Sequence, residues 1–283
     1  MLNPLSVVSS RSRRRWFYPL LSVMVALGLV LSPMSASVKA LPWDRLLFQG
    51  VQVLQLSTIS DRQEVQLGKQ INDQMVGSQI RLYRNARINQ YVDQVGQRLA
   101  AVSDRPNIAY TFQVVRDDSV NAFATMGGFV YVTTGLLATV DNEAQLASVL
   151  GHEIGHITER HALKQMRQAA ITSGIATAAG VDTNRLVGLG VEFALNRPRS
   201  RSDELQADQR SLQMLAKAGY PQSALIAFLE KLLDQPSPPS ILSTHPATRD
   251  RIAAIQKAIG PSNANTGYGL DPQAYRAAVQ PLR

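Results

Sequence analysis

The sequence predicts an α+β fold, mainly helical with a small antiparallel sheet, on three observations. Apolar residues recur at helical spacing through most of the chain after residue 60, and only 110–115 and 129–134 read as strands. With 45% hydrophobic and 18% charged residues over 283 positions, the chain is too apolar for disorder and too mixed for a multi-span membrane protein.

Taken in order, residues 1–40 hold Arg11, Arg13, Arg14, Arg15 and Lys39 and no acid, so five of the formal +8 charges lie there and +3 remains for the rest. The arginine cluster, the apolar stretch from Trp16 to Leu31 and the small residues ending at Ala40 follow the order of an export signal. Cleavage is expected after Ala40, with Ala36 second, and an uncleaved membrane anchor is the alternative. Either way the remainder is placed across a membrane, exported or tethered. The domain expectation is 1–40 signal or anchor, 41–260 a single folded domain and 261–283 a loosely held tail.

Within that domain, 61–76 and 84–102 read as amphipathic helices, and Tyr110 to Val115 as a strand. Asp117 and Asp118 mark a turn before a second strand, Phe129 to Thr134, behind the Gly127-Gly128 pair. Asp141 or Asn142 caps a long helix expected to reach Met166. The apolar segment 169–195 is interrupted by Gly174, Gly180, Gly188 and Gly190 and carries Asp182, Arg185 and Glu192, which argues for one or two short helices rather than a span. A basic turn, Arg197 to Arg201, precedes helices over 202–218, 222–233 and 248–259, the last two separated by Pro236, Pro238 and Pro239.

The chemistry lies at His152-Glu153-Ile154-Gly155-His156, an HExxH sequence in a helical pattern. Residues i and i+4 share a helix face, so both imidazoles can bind one ion while Glu153 reaches a water beside it. The chain has no Cys, so any metal must be held by His and carboxylates, and zinc suits that set. A catalytic site needs a third protein ligand. The extended HExxHxxGxxH pattern is absent, because Glu159 and Ala162 stand where Gly and His would be needed. His161, five residues after His156, is turned off the ligand face of a continuous helix. Glu204 and Asp208 form another i, i+4 pair, from which one carboxylate can bind metal while the other orients an imidazole from the second shell. Spacing does not say which does which.

HEIGH followed by TERHA, the SRSDELQAD segment, the block NAFATMGG and the later Thr244-His245-Pro246 with Arg251-Ile252 together resemble the zinc endopeptidase family of gluzincins that includes HtpX, the CAAX prenyl proteases and soluble periplasmic quality-control proteases. The resemblance spans about residues 60–260. It implies a zincin-like domain with its sheet beside the HExxH helix and one Zn2+ per chain. His152, His156 and Glu204 become its ligands, Asp208 the support of a ligand histidine, and Glu153 the general base. It further implies that the block Asn121 to Thr134, with Gly127, Gly128, Phe129 and Tyr131, forms an active-site edge strand that pairs with extended substrate, and that His245 to Arg251 lies near the metal. His245 is then either a donor to the oxyanion or a fourth ligand, and Arg251 either a donor or a helix-surface partner of Asp250 or Asp203. Unlike the family's multi-span and repeat-bearing members, this sequence shows no further span, no lipidated Cys and no helical repeat, so little beyond the catalytic domain is expected. The expected partners are unfolded polypeptides, membrane-associated or exported. A zinc-stabilised chaperone or assembly factor is the alternative. Nucleic acid is not expected, for want of a basic stripe with interleaved aromatics.

Overall fold

The computed structural model describes residues 59–173, 183–196, 198–246, 249–259 and 266–282. The expected signal or anchor therefore lies outside the described residues. Among those described, no helix is long and apolar enough to cross a membrane.

Helix α1 (Asp61–Ser78) starts at Ser60, whose hydroxyl accepts from the Gln63 N–H while the Gln63 side chain accepts from the Ser60 N–H, a reciprocal capping box. Helix α2 (Ala86–Ala100) is capped by Asn85. Strands β1 (Thr111–Val115), β2 (Ala122–Ala124) and β3 (Phe129–Thr133) form a three-stranded sheet in the order β1-β3-β2. Short α3 (Thr134–Thr139) leads to α4 (Glu143–Thr158), whose Asn142 cap accepts from Gln145 N–H at 3.0 Å. Then come α5 (His161–Ser173), α6 (Thr183–Asn196), α7 (Arg201–Ala218), α8 (Ser223–Leu233), α9 (Ile241–Thr244), α10 (Arg249–Ile259) and α11 (Pro272–Val279).

Every residue of α4 from Ala144 to Ile157 is buried. A helix enclosed on all sides belongs at the centre of a fold, and α4 has the larger apolar cluster around it, with Leu99, Val130, Leu150, Leu215 and Phe228. A second cluster, including Ile71, Met75, Phe123, Tyr131 and Met166, joins α1 and α5 to the sheet.

Several expectations are corrected. The sheet is mixed: β3 pairs parallel with β1 (Gln113 opposite Tyr131) and antiparallel with β2 (Phe123 opposite Tyr131). Consequently β3 is the central strand. Its backbone is taken on both sides, and the strand with a free side in this block is β2. The outer side of β1 is already used by the 81–83 segment, where Tyr83 N–H donates to Val114 O (2.8 Å) and Arg116 N–H to Arg81 O (2.7 Å).

The Gly127-Gly128 pair adopts φ of +77° and +99°, which favours glycine. A Cβ on Gly127 would lie 2.8 Å from Val65 Cα, and one on Gly128 2.7 Å from Ala109 O. The close approach these glycines permit is thus of the chain's own segments rather than of a substrate. Tyr131 is fully buried, stacked on Phe123 at 4.7 Å with its hydroxyl on Asn72 Oδ1, which makes it a core residue of the central strand rather than part of a substrate-pairing edge.

The helix expected to run to Met166 ends at Thr158, because Arg160 takes φ of +55° and redirects the chain into α5. Its side chain is held there by Asp61 and Glu64. The tail is tied down: Ala144 N–H donates to Gly269 O (3.0 Å), and Tyr275, buried in α11, donates to Leu137 O (2.7 Å).

Candidate metal centre

Helices α4 and α7 meet face to face where α4 presents Gly151 and Gly155. A Cβ on Gly155 would lie 2.8 Å from Ala207 O, and one on Gly151 2.9 Å from Ser211 Oγ. With no side chain on that stripe the two backbones come close, and the i, i+4 pairs His152/His156 and Glu204/Asp208 are brought together across the gap. All four are buried, as is Glu153.

Hydrogen bonds behind the imidazoles set their orientation. His152 donates through Nδ1 to Asp208 Oδ1 (2.9 Å). His161 donates through Nε2 to Gln206 Oε1 (3.0 Å), so its Nδ1 accepts from His156 Nδ1 (2.8 Å). With Nδ1 as the donor in both rings, the Nε2 atoms of His152 and His156 present lone pairs to one point, 3.0 Å apart. Glu204 brings its oxygens to 3.4 Å from His152 Nε2 and 3.3 Å from His156 Nε2. His245 closes the group, with Nδ1 3.3 Å from His152 Nε2 and 3.1 Å from Glu204 Oε1. One atom from each of His152, His156, Glu204 and His245 lies within 4.8 Å of all the others.

This donor set fits a cation of zinc's preferences: nitrogen and oxygen ligands, four in number, converging in a buried space. The electrostatics agree. Burial alone would lower the pKa of His152, yet the carboxylates of Glu204 and Asp208 raise it to about 9, an attraction for positive charge that a metal cation at Nε2 would share in place of a proton. Burial drives His156 well below the ordinary histidine range. Despite burial, His245 and His152 hold Glu204 well below the ordinary carboxylate range, and hydrogen bonds from His152 and Arg251 lower Asp208.

The structure brings together most of the residues singled out from sequence. Both oxygens of Glu153 are buried without a hydrogen-bond partner, and Oε1 lies 3.6 Å from His245 Nε2, which is also unpartnered. Arg251 is buried and fully engaged: Nε and Nη2 donate to the two oxygens of Asp208 (2.8 and 2.7 Å), and Nη1 donates to Glu204 Oε2 (2.6 Å) and Pro246 O (2.9 Å). It is neither on the helix surface nor paired with Asp250 or Asp203. Asp250 pairs with Arg201, and Asp203 faces His161 Nε2 at 3.4 Å. His161 is behind His156, as the break at Arg160 allows. Asn121 lies one residue before β2 and Phe129 opens β3, half-buried in the second apolar cluster.

Sequence reasoning missed two charged groups nearby. Glu64 of α1 is fully buried and receives Arg105 (2.8 Å) and Arg160 (3.1 Å), fastening α1 to the end of α4. A Glu at an apolar position of the α1 pattern was its only signal. Arg199, in the basic turn before α7, is buried beside β2, where its Nη2 donates to Ala124 O (3.4 Å).

Residues 86–259 match the model of peptidase family M48. The chain is 34% identical over 221 residues to the beta-barrel assembly-enhancing protease of Escherichia coli strain K12, covering 70% of this chain and 44% of that protein. It is 31% identical over 174 residues to the mitochondrial metalloendopeptidase OMA1 of Schizosaccharomyces pombe (59% and 52%). Against the OMA1 metalloendopeptidase of Danio rerio it is 30% identical over 195 residues (62% and 41%). The chain spans about half the length of these relatives or less.

Proposed function

The chain belongs to peptidase family M48, and from that premise we propose that it is a zinc-dependent endopeptidase acting on unfolded or misassembled exported and membrane proteins. The observation that carries this reading is the four buried ligand atoms within 4.8 Å of one another beside a carboxylate, Glu153, with no partner of its own. His152, His156 and Glu204 would hold one zinc ion, which supplies Lewis acidity towards a carbonyl and makes a water nucleophilic near neutral pH.

Glu153 is the general base. It takes the water's proton as the oxygen attacks the peptide carbonyl, then passes it to the leaving amine. Asp208 and His161 keep the two ligand rings turned inward, and Arg251 holds both carboxylates of α7 in place. His245 completes the ligand group in the conformation described, so substrate entry requires its withdrawal. An extended chain would add to the outer side of β2, where the backbone groups of Ala122 and Ala124 point away from β3. Beside Glu153, Val149, Leu225, Phe228, Leu229 and Ile241 line a small apolar cavity that would have to widen to admit an apolar substrate side chain. The basic, then apolar, N-terminal sequence supports export to an extracytoplasmic location, with or without a retained anchor.

The closing of the ligand group by His245 favours a second reading, a zinc-stabilised chaperone for membrane-protein precursors. One experiment separates them. Zinc-loaded protein should cleave casein, chelator should stop it, and Glu153→Gln should lower turnover by about 10²–10⁴-fold with one zinc per chain retained. Undiminished turnover in Glu153→Gln would remove the general-base assignment. Absence of cleavage by the zinc-loaded wild type would leave the chaperone reading.

A further inference from the structure

Among the described residues, Arg199 is a buried cation without an ion-pair partner. Only 5% exposed, it donates its main-chain N–H to Thr244 O (2.8 Å), Nη1 to Gln165 Oε1 (3.0 Å) and Nη2 to Ala124 O (3.4 Å), all neutral acceptors. Its Nε is buried without a partner, and among the described residues no carboxylate lies within ion-pair distance of it. A guanidinium keeps its charge in a protein interior, and burying it uncompensated is strongly unfavourable. Such an arrangement persists where a site awaits negative charge.

Its contacts reach segments next to the metal centre. Thr244 precedes His245, Ala124 O is on the outer side of β2, and a small cavity shared with His156 and Thr125 reaches it. Burial lowers the Arg199 pKa from the ordinary arginine value, against the opposing influence of Glu153, Glu204 and Asp203. Arg251, by contrast, has Nε and both Nη atoms committed to Asp208, Glu204 and Pro246.

We propose that Arg199 is the hydrogen-bond donor to the scissile carbonyl oxygen, a catalytic residue of the endopeptidase reading on which this inference rests. A substrate strand joining β2 offers a backbone N–H to Ala124 O and releases the long Arg199 bond, freeing Nη2 beside the bare Nε. As the water oxygen bonds to the carbonyl carbon, its proton passes to Glu153 and the carbonyl π pair moves onto oxygen. Arg199 meets that charge and stays protonated. When the C=O re-forms and the C–N bond breaks, the amine takes its proton from Glu153.

The test compares zinc-loaded wild type, Arg199→Met, Arg199→Gln and Arg199→Lys on a peptide substrate. The two neutral variants should lose about 10²–10³-fold in kcat, as expected for removal of an oxyanion donor. KM should move only a few-fold, with one zinc per chain and a Tm equal to or above wild type, because an uncompensated buried charge has been removed. Arg199→Lys, which keeps the charge, should retain more kcat than either. Wild-type kcat in the neutral variants overturns the proposal. So do neutral variants that fail to fold, or loss of zinc and Tm in parallel with activity, since these mark a structural role. A zinc-loaded wild type that does not hydrolyse peptides removes the endopeptidase reading itself, and this proposal with it.

Discussion

At the scale of single residues, the centre is organised by what stands behind each proposed ligand. His152 and His156 face inward because Asp208 and His161 occupy their Nδ1 atoms. Arg251 then ties the carboxylates of Glu204 and Asp208 together. The two carboxylates should therefore respond differently to truncation. Glu204→Ala should lose the metal altogether. Asp208→Ala should keep it with affinity about 10–100-fold weaker, as is usual when the hydrogen-bond partner of a ligand histidine is removed. Competition against a zinc-sensitive chelator measures both, and stoichiometric zinc in Glu204→Ala would transfer the ligand role to Asp208. In sequence, HExxH and the ExxxD pair are legible because helical periodicity alone puts i and i+4 on one face. Arg251 could not be assigned that way: its partners lie 43 and 47 positions away.

At the scale of elements, the contact between α4 and α7 decides whether those pairs meet. Gly155 has Ala207 O against it, a backbone atom that cannot turn aside as a flexible side chain could. Gly155→Ala should push the helices apart, costing about 1–3 kcal/mol as overpacking does and weakening zinc binding with it. Urea unfolding and metal titration together test this, and an unchanged midpoint would show that the interface yields freely. The helix boundaries were largely legible from apolar periodicity and from the cap expected at Asp141 or Asn142, while the caps Ser60, Asn85 and Ser200 emerge in the structure. The break at Arg160 was not. An arginine in the left-handed region carries no signal in composition, and it is held there by Asp61 and Glu64, about a hundred residues earlier. Strand order was hidden for the same reason: β1 and β3 pair in parallel although β2 lies between them in sequence.

At the scale of the whole molecule, the site joins α4, α7 and the segment before α10, so occupancy and folding should be coupled. A ligand that binds only the folded state at a thousand times its Kd stabilises it by about 4 kcal/mol. Stripping zinc with chelator should lower Tm by several degrees, restored by adding the metal back, and calorimetry would read it directly. An unchanged Tm would place the cation outside the folding equilibrium. The tail contributes to the same body, with α11 resting on α2 and Tyr275 bonded to Leu137 O. Sequence by itself determined the mainly helical class, the two i, i+4 pairs of α4 and α7 and the exclusion of thiolate chemistry, and it pointed to Glu153 as the proposed base, because these depend on residue type and on spacings within one helical turn. Only the tertiary structure decided that β3 is internal, that His245 joins His152, His156 and Glu204, that Arg251 is spent on Glu204 and Asp208, and that Arg199 is buried with no ion-pair partner among the described residues. Those outcomes depend on which distant segments share a buried space. There an unmatched charge is costly, and that cost is set by neighbours in space rather than in sequence.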